Sequence, residues 1–137
     1  MIGVVIVAQP DLAQGMLGAA AHTLGRELNG VEVIGVDYGI LPEQLTSAVR
    51  AAVAHVDDGD GVLILTDVYG ATHTNAACRA VQRGHVELIT GMNVPMLLKV
   101  LNYRSLPIDD VIDKALSGGS GGIVCAANPE GKQRADG

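Results

Sequence analysis

Short apolar segments alternate with longer mixed ones along the chain. The apolar segments are Ile2–Ala8, Val31–Val36, Gly61–Thr66 and Val86–Thr90. Ile2–Ala8 and Val62–Leu65 hold no polar side chain, the pattern of strands covered on both faces. The mixed segments begin and end on helix signals. Pro10-Asp11 breaks the first strand and opens a helix of about Leu12 to Leu28, with Asp11 as N-cap and Asn29-Gly30 at its end. Leu41-Pro42-Glu43 opens a second helix running to about Val56, with Pro42 in its first turn, and Asp57–Gly61 is then a surface turn. A third helix is expected from about Thr74 to Gln82, stopped by Arg83-Gly84. A fourth runs from Pro95 to about Leu101, and a fifth from Leu106-Pro107 to Leu116. Ser117–Gly122, SGGSGG, reads as a flexible connector to a last short strand, Gly122–Ala126. The polar tail Asn128–Gly137 is expected to be disordered, leaving 1–127 as one domain.

Regular alternation of strand and helix predicts an α/β fold, doubly wound, with a mainly parallel sheet and helices on both faces. In the common strand order 2-1-3-4, the first and third strands are neighbours whose connections leave to opposite faces. A crevice then opens between their carboxyl ends. Three loops are expected to converge there: Ala8–Asp11, Asp67–Asn75 and Gly91–Asn93.

Composition narrows what such a domain does. Hydrophobic residues make up 48% of the 137, yet the only aromatics are three tyrosines. A core of Ala, Val, Leu and Ile suits helices packed closely on a parallel sheet. The net charge of −6, with no basic stripe or aromatic platform, argues against nucleic acid and anionic lipid as partners. The first apolar segment lacks a basic flank and is too short to span a bilayer, so a cytoplasmic protein without membrane insertion is expected. Cys78 and Cys125 fit neither a metal spacing nor a Cys-x-x-Cys pair and read as buried free thiols of a reduced compartment. No metal and no cofactor is expected.

The chemistry concentrates in Gly61–Asn75, GVLILTDVYGATHTN. A buried strand ends on Asp67, passes the small, turn-like Gly70-Ala71-Thr72, and reaches a helix start that Thr72, Thr74 or Asn75 can cap. An acid, two threonine hydroxyls and His73 thus stand at a strand's carboxyl end, where parallel sheets bind ligands.

Several blocks go further. MIGVVIV at the start, GDGVLILTDVYGAT followed by N-A-A-C-R, GMNVPMLLKVLNYR and KALSGGSGGI together resemble the IIA component of the mannose/fructose-type sugar phosphotransferase system, over Met1 to about Val124. The resemblance implies a phosphoryl carrier in sugar uptake or its regulation. Such a carrier accepts a phosphoryl group from the phosphocarrier HPr on a histidine and passes it to a IIB component. It also implies a homodimer that exchanges a carboxyl-terminal strand. The acceptor histidine of the family lies in a T-H-G motif after the first strand, and Ala8-Gln9-Pro10 stands there in this chain. A carboxamide nitrogen is delocalised into its carbonyl and cannot hold phosphate as an imidazole can. A second departure places His73 where the family's small-Ser/Thr-Pro-x-Asn segment has proline. The alternative implied function is a phosphorylation-incompetent regulatory or partner-binding module that keeps the pocket and the dimer.

Individual residues carry a functional and a plainer reading. By resemblance, Asp67 is the acid that orients the acceptor; alone, it can cap loop amides. Thr72 and Thr74 can receive phosphate oxygens or simply cap a helix. His73 is a displaced acceptor, a ligand contact or an exposed loop residue, with Asn75 beside it. Met92 and Asn93, by resemblance, line the crevice; otherwise they are core and cap. Gln9 is the emptied acceptor position or part of a turn. His22, His55 and His85 read as surface or helix-end residues.

Overall fold

Strand β1, Gly3–Ala8, is buried at every position, and so is β3, Val62–Thr66. Both lie in the middle of a four-stranded sheet of order β2-β1-β3-β4, with β2 being Val31–Gly35 and β4 Val86–Ile89. All pairings are parallel, with Val5 opposite Glu32 on one side and Ile64 on the other. This computed structural model describes residues 1–37, 39–68 and 72–127. The expected disordered tail at 128–137 and the turn Gly70-Ala71 lie outside them.

Period-two alternation divides the core. Val4, Ile6, Leu63 and Leu65 face α1 (Pro10–Leu24), α4 (Val94–Asn102) and α5 (Ile108–Gly121). Val5, Val7, Val62 and Ile64 face α2 (Pro42–Val56) and α3 (Thr72–Cys78). Each fully buried Leu, Ile or Val contributes about 1.5–3 kcal/mol of transfer free energy, so aliphatic side chains hold two helical layers without aromatic bulk. The sheet is doubly wound in the predicted order, and its switch point falls between β1 and β3.

Arg104 ties the amino-terminal edge of this sheet together. It is buried, and its guanidinium donates to the carbonyls of Ile2 at 2.8 Å, Asn29 at 2.6 Å and Gly30 at 2.9 Å. The Arg104 carbonyl accepts from the Ile2 amide, closing the clasp. Burial, then nearby Arg26, pulls its pKa below the ordinary arginine range. Gly30 has φ +69°, and a β-carbon there would lie 2.6 Å from an Arg104 nitrogen, so both backbone and space call for glycine.

Several local expectations are corrected. Helix α1 starts at Pro10 with Gln9, not Asp11, as N-cap, and it ends at Gly25 in the left-handed region (φ 66°) instead of at Asn29-Gly30. The SGGSGG tract is not a connector, because Ser117–Gly121 continues α5. Its glycines are where α5 lies against α4: a β-carbon on Gly119 would meet Met96 at 2.9 Å, and one on Gly122 would meet Pro95 at 2.4 Å. The last strand is not formed within the chain. Gly122 caps α5, and Ile123 and Val124 beyond it are exposed. Cys78 and Cys125 are exposed, not buried. His85 is part-buried, with Nε2 2.7 Å from an Asp57 oxygen. The Gly59 amide, then His85, holds the Asp57 carboxyl below the usual carboxylate range.

Candidate functional site

The carboxyl ends of β1, β2 and β3 enclose a cavity of about 580 Å3. Gln9 borders it from the β1–α1 turn, Asp37 and Ile40 from the loop after β2, and Asp67, Thr72 and His73 from the loop and helix after β3.

Gln9 borders this space with only its side-chain oxygen engaged among the described residues. Its Oε1 accepts the Leu12 amide at 2.9 Å, capping α1, and its carbonyl accepts the amide of Ala13. Pro10 then occupies the first helical turn, where no N–H is needed. The carboxamide NH2 has no partner among the described residues.

Asp67 ends β3 and holds a histidine. One carboxylate oxygen accepts the Val68 amide at 2.9 Å and lies 3.0 Å from His73 Nε2. Both side chains are 20% exposed, sheltered yet reachable. Thr74 ties the start of α3 back to the end of β3. It is buried, and its hydroxyl donates to the Val68 carbonyl at 2.6 Å. Thr46 of α2 donates to the Ala76 carbonyl at 3.0 Å and fastens α3 from below. Thr74 is therefore spent on the loop and does not reach the cavity, whereas Thr72 does. Asn75 is exposed and is not part of the lining.

The third expected loop plays another part. Met92 is buried in the core, and its amide donates to the carbonyl of Thr66. Asn93 caps α4 by accepting the Met96 amide at 2.9 Å, and it donates to the Gly119 carbonyl at 3.0 Å. Neither lines the cavity; they hold α4 and α5 against the end of β3. The missing wall is the β2–α2 loop with Asp37 and Ile40. The predicted strand order carried that signal, since it sets the β2 end beside the β1 end.

Charge limits the chemistry. The described lining holds Asp37 and Asp67 but no lysine or arginine. A free phosphate dianion finds no fixed counter-charge here, unlike at an anion site built from basic side chains. The rim suits a protein surface instead: Leu12, Leu41 and Val68, at the three strand ends, are 43%, 56% and 57% exposed. Exposed apolar side chains beside a crevice of mixed lining are a common composition of a docking face.

A doubly wound parallel sheet with an imidazole–carboxylate pair at its switch point defines a small α/β domain that acts at its strand ends. The profile of the EIIA-man family, described as the PTS system fructose IIA component, matches residues 3–116, and the chain belongs to that family. It is 33% identical over 127 residues to the PTS system mannose-specific EIIAB component of Escherichia coli (strain K12), covering 89% of this chain but only 38% of that relative. It is 28% identical over 123 residues to the PTS system fructose-specific EIIA component of Bacillus subtilis (strain 168), covering 85% of this chain and 82% of the relative. The solved structure of the phosphotransferase system component EIIA from Streptococcus agalactiae shares the fold with a TM-score of 0.80 at 25% identity, covering 93% of this chain and 98% of that one. No helix among the described residues is long and apolar enough to cross a membrane.

Proposed function

We propose that this protein is a IIA-type component that meets an HPr-type phosphocarrier and a IIB component at the crevice, in sugar uptake or its regulation, and that position 9 carries no phosphoryl group. The observation that carries this reading is Gln9. At the family's acceptor position, the crevice presents a carboxamide already used as a helix cap. A carboxamide can steady a docked phosphoryl group through its NH2 but cannot bond it. The apolar rim of Leu12, Leu41 and Val68 supports docking of a protein. The alternative is a regulatory module that binds these partners without taking a phosphoryl group; it applies if no other group in the crevice is an acceptor. We also infer a homodimer, supported by exposed Leu116, Ile123 and Val124 at the carboxyl end of α5 and beyond.

Calorimetric titration with HPr tests the docking. Val68→Asp, which puts charge on the rim without entering the core, is expected to weaken binding about tenfold or more, a loss of about 1.4 kcal/mol. Unchanged binding in Val68→Asp and in Leu12→Asp contradicts docking at the crevice.

A further inference from the structure

We propose that His73 is the phosphoryl acceptor of this crevice, taking the group on Nδ1 from a phosphohistidine carrier protein while Asp67 holds the Nε2 proton. The proposal rests on the IIA-type reading above and moves its chemistry from one wall of the crevice to another.

The geometry assigns the two ring nitrogens. Nε2 lies 3.0 Å from the Asp67 carboxylate, so the neutral ring carries its proton there and leaves a lone pair on Nδ1. Nδ1 has no hydrogen-bond partner among the described residues. The ring is held by Asp67, and the Thr74 hydroxyl on the Val68 carbonyl holds the start of its helix against the end of β3. Such fixing removes part of the entropy cost of aligning a nucleophile. The Gln9 carboxamide and the Thr72 hydroxyl border the same cavity as donors for phosphoryl oxygens.

In the step, the Nδ1 lone pair forms a bond to phosphorus as the N–P bond of the donor's phosphohistidine breaks. The donor's phosphohistidine reacts with its ring protonated on the other nitrogen, so the electron pair returned by that bond leaves a neutral imidazole. No proton moves. The phosphorylated His73 ring becomes cationic, and Asp67, across the Nε2–H bond, compensates the charge. With no lysine or arginine in the described lining, further counter-charge comes from the docked donor. This selects a protein phosphohistidine over a free phosphate ester.

The other histidines lack this arrangement. His85 also meets an acid, but at the opposite end of the sheet, where Asp57 gives its other oxygen to the Gly59 and Gly61 amides of a turn. His55 is largely exposed beside Glu32. His22 sits in the last turn of α1.

The test is incubation with phosphoenolpyruvate, enzyme I and HPr, followed by intact-mass spectrometry and fragment mapping, with HPr binding measured in parallel. The wild-type chain is expected to gain one phosphoryl group on His73 as the Nδ1 isomer. His73→Gln should gain none, whereas His22→Gln and His55→Gln should be labelled as wild type. Asp67→Asn should slow labelling about 10- to 100-fold and yield a mixture of Nδ1 and Nε2 isomers, which a merely structural role would not produce. HPr binding without labelling, or labelling elsewhere, overturns the proposal and leaves the IIA-type reading standing. Absence of HPr binding overturns both.

Discussion

Placing a histidine at position 9 is expected to give phosphoryl transfer in a chain whose His73 has been replaced. In the double variant Gln9→His/His73→Gln, the phosphoenolpyruvate, enzyme I and HPr relay should place one phosphoryl group on position 9, against none in His73→Gln alone. Asp67 explains why. It lines the same cavity as Gln9 and is held by His73 in the present chain, so removing that ring frees the acid to orient a new one. The change carries a stability cost. Gln9 Oε1 caps the amide of Leu12, and losing such a cap costs about 1 kcal/mol, which an otherwise intact core should withstand. Intact-mass measurement of the three chains reads the result. An unlabelled double variant that still binds HPr would mean that Asp67 alone is not the orienting element.

Arg104→Ala is expected to be the most destabilising single substitution outside the apolar core. It removes donors from the carbonyls of Ile2, Asn29 and Gly30 at one stroke and leaves a cavity among them. Hydrogen bonds to charged groups contribute about 1.5–3 kcal/mol each, and buried carbonyls left unpaired add their desolvation, so a net loss of about 3–5 kcal/mol is expected. That is a large share of the roughly 5–15 kcal/mol typical of a domain. Arg104→Lys should recover only part of it, because an ammonium lacks the planar fork that reaches three acceptors at once. Urea denaturation of the two variants measures the difference. A loss under about 1 kcal/mol for Arg104→Ala would show that water satisfies these carbonyls equally well.

The sheet was legible because Ile2–Ala8 and Val62–Leu65 are continuous apolar runs, and the strand order followed from the regular alternation of strand and helix. What escaped was contact-dependent. Glycines at 118, 119, 121 and 122 look like a linker, yet Gly118, Gly119 and Gly122 are where α5 approaches Pro95, Met96 and Lys99 too closely for a β-carbon. Arg104 stood in a matching block without a role, since its acceptors lie 74 to 102 positions away in the chain. In the crevice, Asp67 and His73 were visible as candidates, but their contact was not, because a spacing of six positions does not by itself bring a strand-end acid to a helix-start imidazole. Thr74 and Asn93 carry donors and acceptors that suit a ligand equally well; only the structure shows those groups committed to Val68, Met96 and Gly119.

The central claim is that the acid of this crevice holds His73 through Nε2, with Nδ1 unpartnered among the described residues. Ring-nitrogen NMR of the unphosphorylated chain tests it most directly. A His73 ring protonated on Nε2, hydrogen-bonded to Asp67, with Nδ1 unprotonated, is expected, and the pattern should change in Asp67→Asn. A ring carrying its proton on Nδ1, or averaging freely between the two forms as an exposed histidine does, would contradict it.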